Sequence, residues 1–246
     1  MILILYIFIG ALAGILLNYL ADVLPVEKKF ALPVCSQCGK PFSIINYLFS
    51  FHCPHCQAKP KARYWIVLVL SMVLSVLLVF FPLKPFSYWA SLPLLVFLGL
   101  IVIIDVEHRA VLFVTDFVGI GLGLIYGWLL HGVWNTLLGG LLGAAIMLGM
   151  YFLGILFNRV VARIRNQEVD EVALGLGDVF VSGYLGLICG LQHVPAMIIL
   201  AILLSGVFAI LYLIVKAIAK KYSAFSAIAY APFLIVATLI LFYLPS

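Results

Sequence analysis

Eight long apolar segments constrain the fold of this chain more than any other feature. They cover roughly residues 2–24, 64–81, 88–107, 111–130, 134–157, 175–191, 195–216 and 225–244. At a rise of about 1.5 Å per residue, each has about the length needed to cross the hydrocarbon core of a bilayer as a helix. Inside lipid, every backbone polar group needs an internal partner, and long apolar runs meet this need as α-helices. The sequence therefore predicts an all-α polytopic membrane protein with about eight transmembrane helices.

The amino-acid composition favours a protein that sits in a lipid bilayer. Hydrophobic residues make up 66% of the 246-residue chain and charged residues only 9%, against about 25% charged residues in soluble domains. We interpret the net charge of +5 as a topology signal and expect no nucleic-acid partner. The first segment, Ile2 to Leu24, has no charged n-region and no clear small-residue cleavage site. It is therefore predicted to be a retained helix rather than a signal peptide.

The basic residues are distributed unevenly between the loops. Thirteen of the fourteen lysines and arginines fall in alternate loops, and only Lys84 lies in a loop on the other side. Loops rich in Lys and Arg stay in the cytoplasm. This pattern predicts that both termini lie outside, with the polar insert at residues 25–63 in the cytoplasm.

The polar insert contains two CxxC pairs, "CSQC" and "CPHC", separated by fourteen residues. The four predicted ligands are Cys35, Cys38, Cys53 and Cys56. Two such pairs suit tetrahedral Zn²⁺, and a metal can stabilise a segment too small to form its own core. We predict a structural, non-catalytic Zn²⁺ site, because permanent disulfides are rare in the cytoplasm. A histidine ligand, His52 or His55, and a redox-active dithiol are the alternatives.

Two carboxylates stand at the ends of different apolar segments. Asp105 ends the third segment, and Asp178 lies in the first turn of the sixth. Because these two segments run in opposite directions, both side chains are predicted to lie at the same membrane depth. Two carboxylates that meet there share a proton, so that one can activate water while the other donates to a peptide carbonyl. Gly175 and Gly177 would let an extended substrate approach the backbone closely.

Simpler interpretations of these acidic residues remain open. The helix dipole alone favours a carboxylate such as Asp178 in a first turn, and Asp105 has the position of a terminal charge that reaches the membrane surface. Asp116 is interpreted as an ordinary charge at the end of its helix rather than a partner of the pair. An ionisable group in a membrane segment is nevertheless a functional-site hypothesis by default. The pair, together with the glycines, favours catalysis.

These motifs resemble those of a known family. "GLGD" at the start of a membrane helix, with a second aspartate at the end of an earlier one, resembles the GxGD intramembrane aspartyl peptidases. The four-cysteine insert narrows the resemblance to the bacterial type IV prepilin peptidases, whose motifs are similar to "GILLNYLADVLP", "IIDVEHR" and "GLGDVF". The resemblance implies that Asp105 and Asp178 are catalytic. It also implies a multi-pass enzyme of the bacterial cytoplasmic (inner) membrane, with its active site on the cytoplasmic side.

The resemblance further implies a substrate and a second reaction. Such enzymes remove the short basic leader of prepilins or pseudopilins after a glycine, and many then methylate the new N-terminus with S-adenosylmethionine. Some positions depart from the family: Val23, Leu68, Val111-Leu112 and Phe180 stand where Arg, Glu, Ile-Pro and Lys are usual. Because no proposed catalytic carboxylate is lost, leader cleavage is expected, while methyl transfer stays open.

The predicted domain organisation follows from these motifs. Residues 1–24 form a first transmembrane helix, residues 25–63 a cytoplasmic zinc module, and residues 64–246 a seven-helix peptidase domain. Two other functions remain possible for the same residues. A transporter could use both aspartates to bind a cation or relay protons, although they lie near one membrane face and the halves show no inverted repeat. A degenerate homologue would bind prepilins without cutting them.

Overall fold

The fold is all-helical throughout the part of the chain that the computed structural model describes. The described residues are 2–27, 31–35, 38–49, 53–57, 62–84, 86–109, 111–165, 175–219 and 229–243. The helices within them are α1 (Ile2–Glu27), α2 (Ile44–Phe49), α3 (Ala62–Phe80), α4 (Tyr88–His108), α5 (Phe113–Arg165), α6 (Leu176–Cys189), α7 (Val194–Ile218) and α8 (Ala231–Tyr243). These ranges contain no strand beyond a single bridge between Val34 and Pro41. The predicted all-α class is confirmed.

Five of the described helices are long and apolar enough to cross a membrane. Their spans are Leu3–Val26, Ala62–Phe80, Tyr88–His108, Phe113–Val160 and Val194–Ile218, while α6 and α8 are apolar but shorter. The fourth span has 48 residues, about twice what a bilayer core requires. It breaks at Gly132, whose φ of 75° and ψ of 169° are not helical. The break divides α5 into a first arm, residues 113–131, and a second arm, residues 133–165. The described residues thus contain five candidate spans, and the total of eight crossings stays a prediction.

The chain forms two compact units, Met1–Ile104 and Asp105–Ser246. The boundary falls within α4, so Asp105 and Asp178 both belong to the second unit. The predicted domains rested on motifs rather than on packing. The division into residues 1–24, 25–63 and 64–246 therefore stays a prediction.

In the first unit, α1 packs closely along α3. A methyl group on Gly14 would lie 2.1 Å from the Ser71 hydroxyl oxygen, so only glycine allows this approach. The amide of buried Asn18 donates to the carbonyl oxygens of Gly14, at 3.0 Å, and Tyr64, at 3.2 Å. Small residues and interhelical hydrogen bonds of this kind are typical of helix pairs inside membranes, where burial of apolar surface provides no driving force between helices.

In the second unit, α6 packs against both arms of α5. A methyl group on Gly123 of the first arm would lie 2.9 Å from the carbonyl oxygen of Tyr184. On the second arm, Gly143 accepts a hydrogen bond of 3.0 Å from the buried hydroxyl of Ser182. Helix α8 packs against α6 and α7. As a result, every residue of α6 from Tyr184 to Cys189 is buried.

Gly186→Ala is expected to destabilise the second unit. A methyl group there would lie 2.5 Å from the carbonyl oxygen of Gly139, which belongs to the backbone and cannot rotate away. Overpacking of this kind costs about 1–3 kcal/mol. Thermal unfolding in detergent should therefore give a lower apparent Tm than the wild type. Gly121→Ala is the matched control, because nothing lies within 4 Å of its added methyl group. Equal melting of the two variants would contradict the close helix contact.

Candidate active site

Asp178 caps the start of its own helix. Gly175, the residue before α6, has an extended backbone with φ −87° and ψ 156°. The Gly175 N–H donates to Asp178 Oδ2 at 3.0 Å, and the Asp178 N–H donates to the Gly175 carbonyl oxygen at 3.1 Å. This reciprocal arrangement satisfies backbone groups that a helix start leaves unpaired, and the helix dipole favours the carboxylate. The capping interpretation of Asp178 therefore describes a real contact, but that contact uses only Oδ2.

Asp105 is buried rather than extended toward the surface. It lies near the C-terminal end of α4, and its side chain is only 6% exposed. The backbone N–H of Ala231, the first residue of α8, donates to its carboxylate. Its Oδ2 is buried and has no hydrogen-bond partner among the described residues. A buried carboxylate oxygen without a partner is costly to keep. The interpretation of Asp105 as a terminal charge that reaches the membrane surface does not fit this burial.

The structure brings the two aspartates into one site. The Asp178 carboxylate interacts electrostatically with that of Asp105. The buried phenol of Tyr184 interacts with both of them, and the phenol of Tyr230 interacts with Asp178. Two carboxylates that meet at close range would not ionise independently and would share one proton as a pair. Such a pair contains a base for water and an acid for a carbonyl oxygen at the same time.

The two glycines of "GLGD" have different surroundings. A methyl group on Gly177 would lie 2.6 Å from Cγ2 of Val111, so this glycine lets the segment before α5 pack against the start of α6. Gly175 is exposed, and its nearest atoms would be 3.8 Å from an added methyl group, in Asp178 and Gly177. Substrate binding by either glycine stays a prediction.

Two further polar groups of this site were missed or underrated by the sequence analysis. Asp116, interpreted there as an ordinary helix-end charge, is only 5% exposed. Tyr184, which drew no attention, is fully buried in the middle of α6. The position of Asp116 within an apolar run was the sequence feature that could have indicated its burial. No local pattern distinguishes Tyr184 from an ordinary core tyrosine.

Comparison with protein families gives one match to this part of the chain. The model described as the type IV leader peptidase family matches residues 92–210. That match, which covers just under half of the chain, supports the assignment of this protein to the type IV leader peptidase family. The matched segment contains both Asp105 and Asp178, which supports a peptidase acting on prepilin-type substrates in general. No curated protein and no solved structure matches this chain.

Four cysteines, Cys35, Cys38, Cys53 and Cys56, form one cluster in the first unit. Their sulfur atoms all lie within 4.8 Å of one another. The Sγ atoms of Cys35 and Cys56 are 3.6 Å apart, and those of Cys38 and Cys53 are 3.7 Å apart. Tetrahedral zinc with Zn–S bonds of about 2.3 Å requires sulfur–sulfur distances of about 3.8 Å. The cluster can therefore hold a metal ion such as zinc, and the identity of the metal stays a prediction. His55 is exposed and is not part of the cluster, while His52 lies outside the described residues.

Each cysteine pair sits on a turn of the same form. The Gly39 N–H donates to the Cys35 carbonyl oxygen, and the Gln57 N–H donates to the Cys53 carbonyl oxygen, both at 2.9 Å. Both turns end in the left-handed region, with φ of 68° at Gly39 and 54° at Gln57. The repeated turn presents two sulfur atoms from each side, as thiolate metal sites require.

A tyrosine attaches the cysteine segment to helices α1 and α3. The Tyr47 hydroxyl, on α2, donates to Asp22 Oδ2 at 2.7 Å, and Arg63 donates to Asp22 Oδ1 at 2.5 Å. The Tyr47 ring also contacts those of Tyr19 and Tyr64. Burial, followed by the neighbouring Asp22 carboxylate, raises the pKa of Tyr47 well above its usual value, so it stays a neutral donor. Sequence alone could not reveal this contact, because Asp22, Tyr47 and Arg63 lie far apart in the chain.

Proposed function

We propose that this protein is an aspartyl endopeptidase of the bacterial cytoplasmic membrane. It removes the cytoplasmic leader of type IV prepilins or pseudopilins by hydrolysing the bond after the leader glycine. One observation carries the proposal: two buried carboxylates on different helices, Asp105 and Asp178, interact within the segment that matches the family. A solitary helix cap or a terminal charge would not require the second carboxylate.

The proposed mechanism uses the single proton held by the pair. The ionised carboxylate takes a proton from a water molecule while the water oxygen attacks the carbonyl carbon of the scissile bond. The protonated carboxylate donates its proton to the carbonyl oxygen. The tetrahedral intermediate then expels the amine, which takes the proton that the first carboxylate removed from water, while one hydroxyl of the intermediate returns a proton to the second carboxylate. Asp178 has Oδ2 bound to the Gly175 N–H, and Asp105 accepts from the Ala231 N–H. These contacts fix both side chains, and either carboxylate can fill either role.

The membrane orientation supports a basic leader as the substrate. The loop charges favour both termini outside and the cysteine segment inside the cell. In this orientation α4 ends and α6 begins at the cytoplasmic side, where a leader peptide enters. The two arms of α5 and the shorter helices α6 and α8 would complete eight crossings. The exposed backbone at Gly175 would hold the extended peptide beside the carboxylates.

Methyl transfer is the second candidate activity, with S-adenosylmethionine as the donor. Positions where the family usually has charged residues carry apolar side chains here: Val23 and Leu68 are buried, and Phe180 is exposed. A cationic cofactor needs polar contacts, and none of these three side chains offers one. We therefore propose peptidase activity as the principal function and expect weak or absent methylation.

Co-expression with a prepilin from the same genome tests the proposed function. Mass spectrometry of the recovered pilin reports leader loss and any added methyl group in the same spectrum. Leader loss without a methyl group is the expected result. An intact leader on a pilin that co-purifies with the protein would instead identify a binding homologue. An intact leader together with a proton flux in vesicles that is lost in Asp178→Asn would identify a transporter.

A further inference from the structure

A small cavity lies at the end of α6 that is farthest from Asp178. Its volume is about 30 Å³, and it is bordered by the break in α5, the end of α6 and the residues just before α7. Asp178 and Gly190 are twelve residues apart, which corresponds to about 18 Å along a helix. The cavity is therefore separate from the proposed catalytic pair. Its size suits a metal ion together with a water molecule.

Two histidine side chains, His131 and His193, line this cavity. Their ring centroids are 6.2 Å apart, and the ring planes are inclined by 34°. A metal ion at about 2.0–2.1 Å from an imidazole nitrogen lies about 3.2 Å from the ring centroid. Two imidazoles that share one ion therefore have centroids at most about 6.4 Å apart, or about 5.2 Å apart in tetrahedral geometry. The two rings lie within reach of a common ion.

The orientation of the His131 ring suits a metal ligand. One ring N–H donates to the Ile188 carbonyl oxygen. A neutral imidazole that donates through one nitrogen keeps a lone pair on the other. Histidines that bind metals almost always make such a bond, because it fixes the tautomer and the direction of the ring. The ring also lies against Gly190, where an added methyl group would be 2.8 Å from its Cδ2 atom.

The turn that carries His193 is fixed to the second arm of α5. The Leu191 N–H donates to the Asn135 carbonyl oxygen, and the His193 N–H donates to the Gly190 carbonyl oxygen, both at 3.2 Å. Gly190 has a φ of 73°, a conformation that favours glycine. The His193 side chain makes no capping hydrogen bond at the start of α7. Its imidazole is therefore not needed to begin that helix.

The other side chains around the cavity supply mainly oxygen donors. Asn135 and Gln192 border it with their amide groups, whose oxygen atoms can accompany histidine and water as ligands. Cys189 borders it as well, but its sulfur contacts the Met197 sulfur at 3.9 Å and the Thr238 hydroxyl at 4.0 Å. A donor set of imidazole nitrogens with amide and water oxygens suits Zn²⁺, Ni²⁺ or Cu²⁺.

We propose that His131 and His193 form a site for a divalent transition-metal ion of this class. A bound ion would join the break in α5 to the start of α7. The loop charges favour an orientation in which this end of α6 faces the outside of the cell. The inference does not rest on the proposed function, because the site includes neither Asp105 nor Asp178.

Cu²⁺ is the probe for the test, because it binds nitrogen ligands most tightly among these ions. The full-length protein is purified in detergent without a polyhistidine tag, incubated with zinc to fill the cysteine cluster, and desalted. At about 10 µM free Cu²⁺, the wild type should bind one Cu²⁺ per chain, with two imidazole ligands in the electron spin echo spectrum. His131→Ala and His193→Ala should each weaken binding at least about tenfold and leave one imidazole ligand.

Two variants serve as controls for the histidine pair. His108→Ala removes an exposed histidine at the end of α4, and Cys189→Ala removes the thiol that borders the cavity. Both should bind Cu²⁺ as the wild type does. A wild type without imidazole ligands at this concentration would overturn the proposal, as would wild-type affinity in His131→Ala or His193→Ala. Loss of binding in Cys189→Ala would also overturn it, because a thiolate would then be a ligand.

Thermal unfolding gives a second measurement on the same proteins. An ion that binds only the folded state raises the apparent Tm, so Cu²⁺ should raise that of the wild type and leave that of His193→Ala unchanged. His193→Ala spares the contacts of His131 with Gly190 and Ile188. It should therefore melt like the wild type without added metal. An equal Cu²⁺-induced shift in the two proteins would overturn the proposal.

Discussion

Asp178→Asn and Asp105→Asn are each expected to lower the rate of leader cleavage at least about a thousandfold while the protein stays folded. An asparagine side-chain oxygen can still accept the Gly175 N–H at position 178 or the Ala231 N–H at position 105. The local hydrogen bonds therefore survive. What disappears is the exchangeable proton of the pair, on which both halves of the reaction depend.

Thermal unfolding shows whether these variants lose activity because the carboxylate is missing or because the protein no longer folds. A buried carboxylate is more costly in an apolar environment than an amide of the same shape. Both asparagine variants should therefore melt at or above the wild-type temperature in the same detergent. Glu107→Gln, which removes an exposed carboxylate near Asp105, should keep its activity. Cleavage within tenfold of wild type by either asparagine variant would mean that its carboxylate is not catalytic.

Loss of the metal is the second large effect we expect. Cys38→Ser removes one of the four clustered sulfur atoms. Structural zinc sites contribute on the order of 10 kcal/mol to the folding of small modules. The variant should therefore purify with less than one-tenth of the wild-type zinc and lose the wild-type protection of residues 31–57 against proteases. The Tyr47 contact with Asp22 joins this segment to α1, so the apparent Tm of the whole protein should fall as well.

Cys189→Ala is the matched control for the cysteine cluster. Cys189 is fully buried in the second unit, where its sulfur lies 3.9 Å from that of Met197. Its removal should leave the zinc content and the protease pattern of residues 31–57 unchanged. Metal analysis and limited proteolysis read out both variants. A Cys38→Ser protein with wild-type zinc and wild-type protection would contradict a four-thiolate metal site.

The sequence predicted the helices well because apolar runs and glycines mark them directly. The predicted segment 175–191 corresponds to α6, Leu176–Cys189, which stops where Gly190 adopts a φ of 73°. The predicted segments 111–130 and 134–157 correspond to the arms of α5, with the break at Gly132. The second arm continues to Arg165 because no proline or glycine interrupts it there. Chain direction alone predicts that Asp105 and Asp178 lie at the same membrane depth, and this stays a prediction.

What the sequence could not supply is the rotation of each helix about its own axis. Whether Asp116 faces α6 or lipid depends on the glycine contacts that fix how α5 packs, and these contacts join residues far apart in the chain. The same holds for the Ala231 N–H that reaches Asp105. The contact between Gly177 and Val111 could not be predicted for the same reason. Helix periodicity carries little information here, since nearly every position is apolar.

The most direct test of the aspartyl mechanism is cleavage of a purified prepilin by the purified, metal-loaded protein in lipid. Mass spectrometry of the two products identifies the bond that is cut. We predict a single cut after the leader glycine by the wild type, and none by Asp105→Asn or Asp178→Asn. A folded wild-type protein that leaves the leader intact, or asparagine variants that still cut at that bond, would contradict an enzyme built on these two carboxylates.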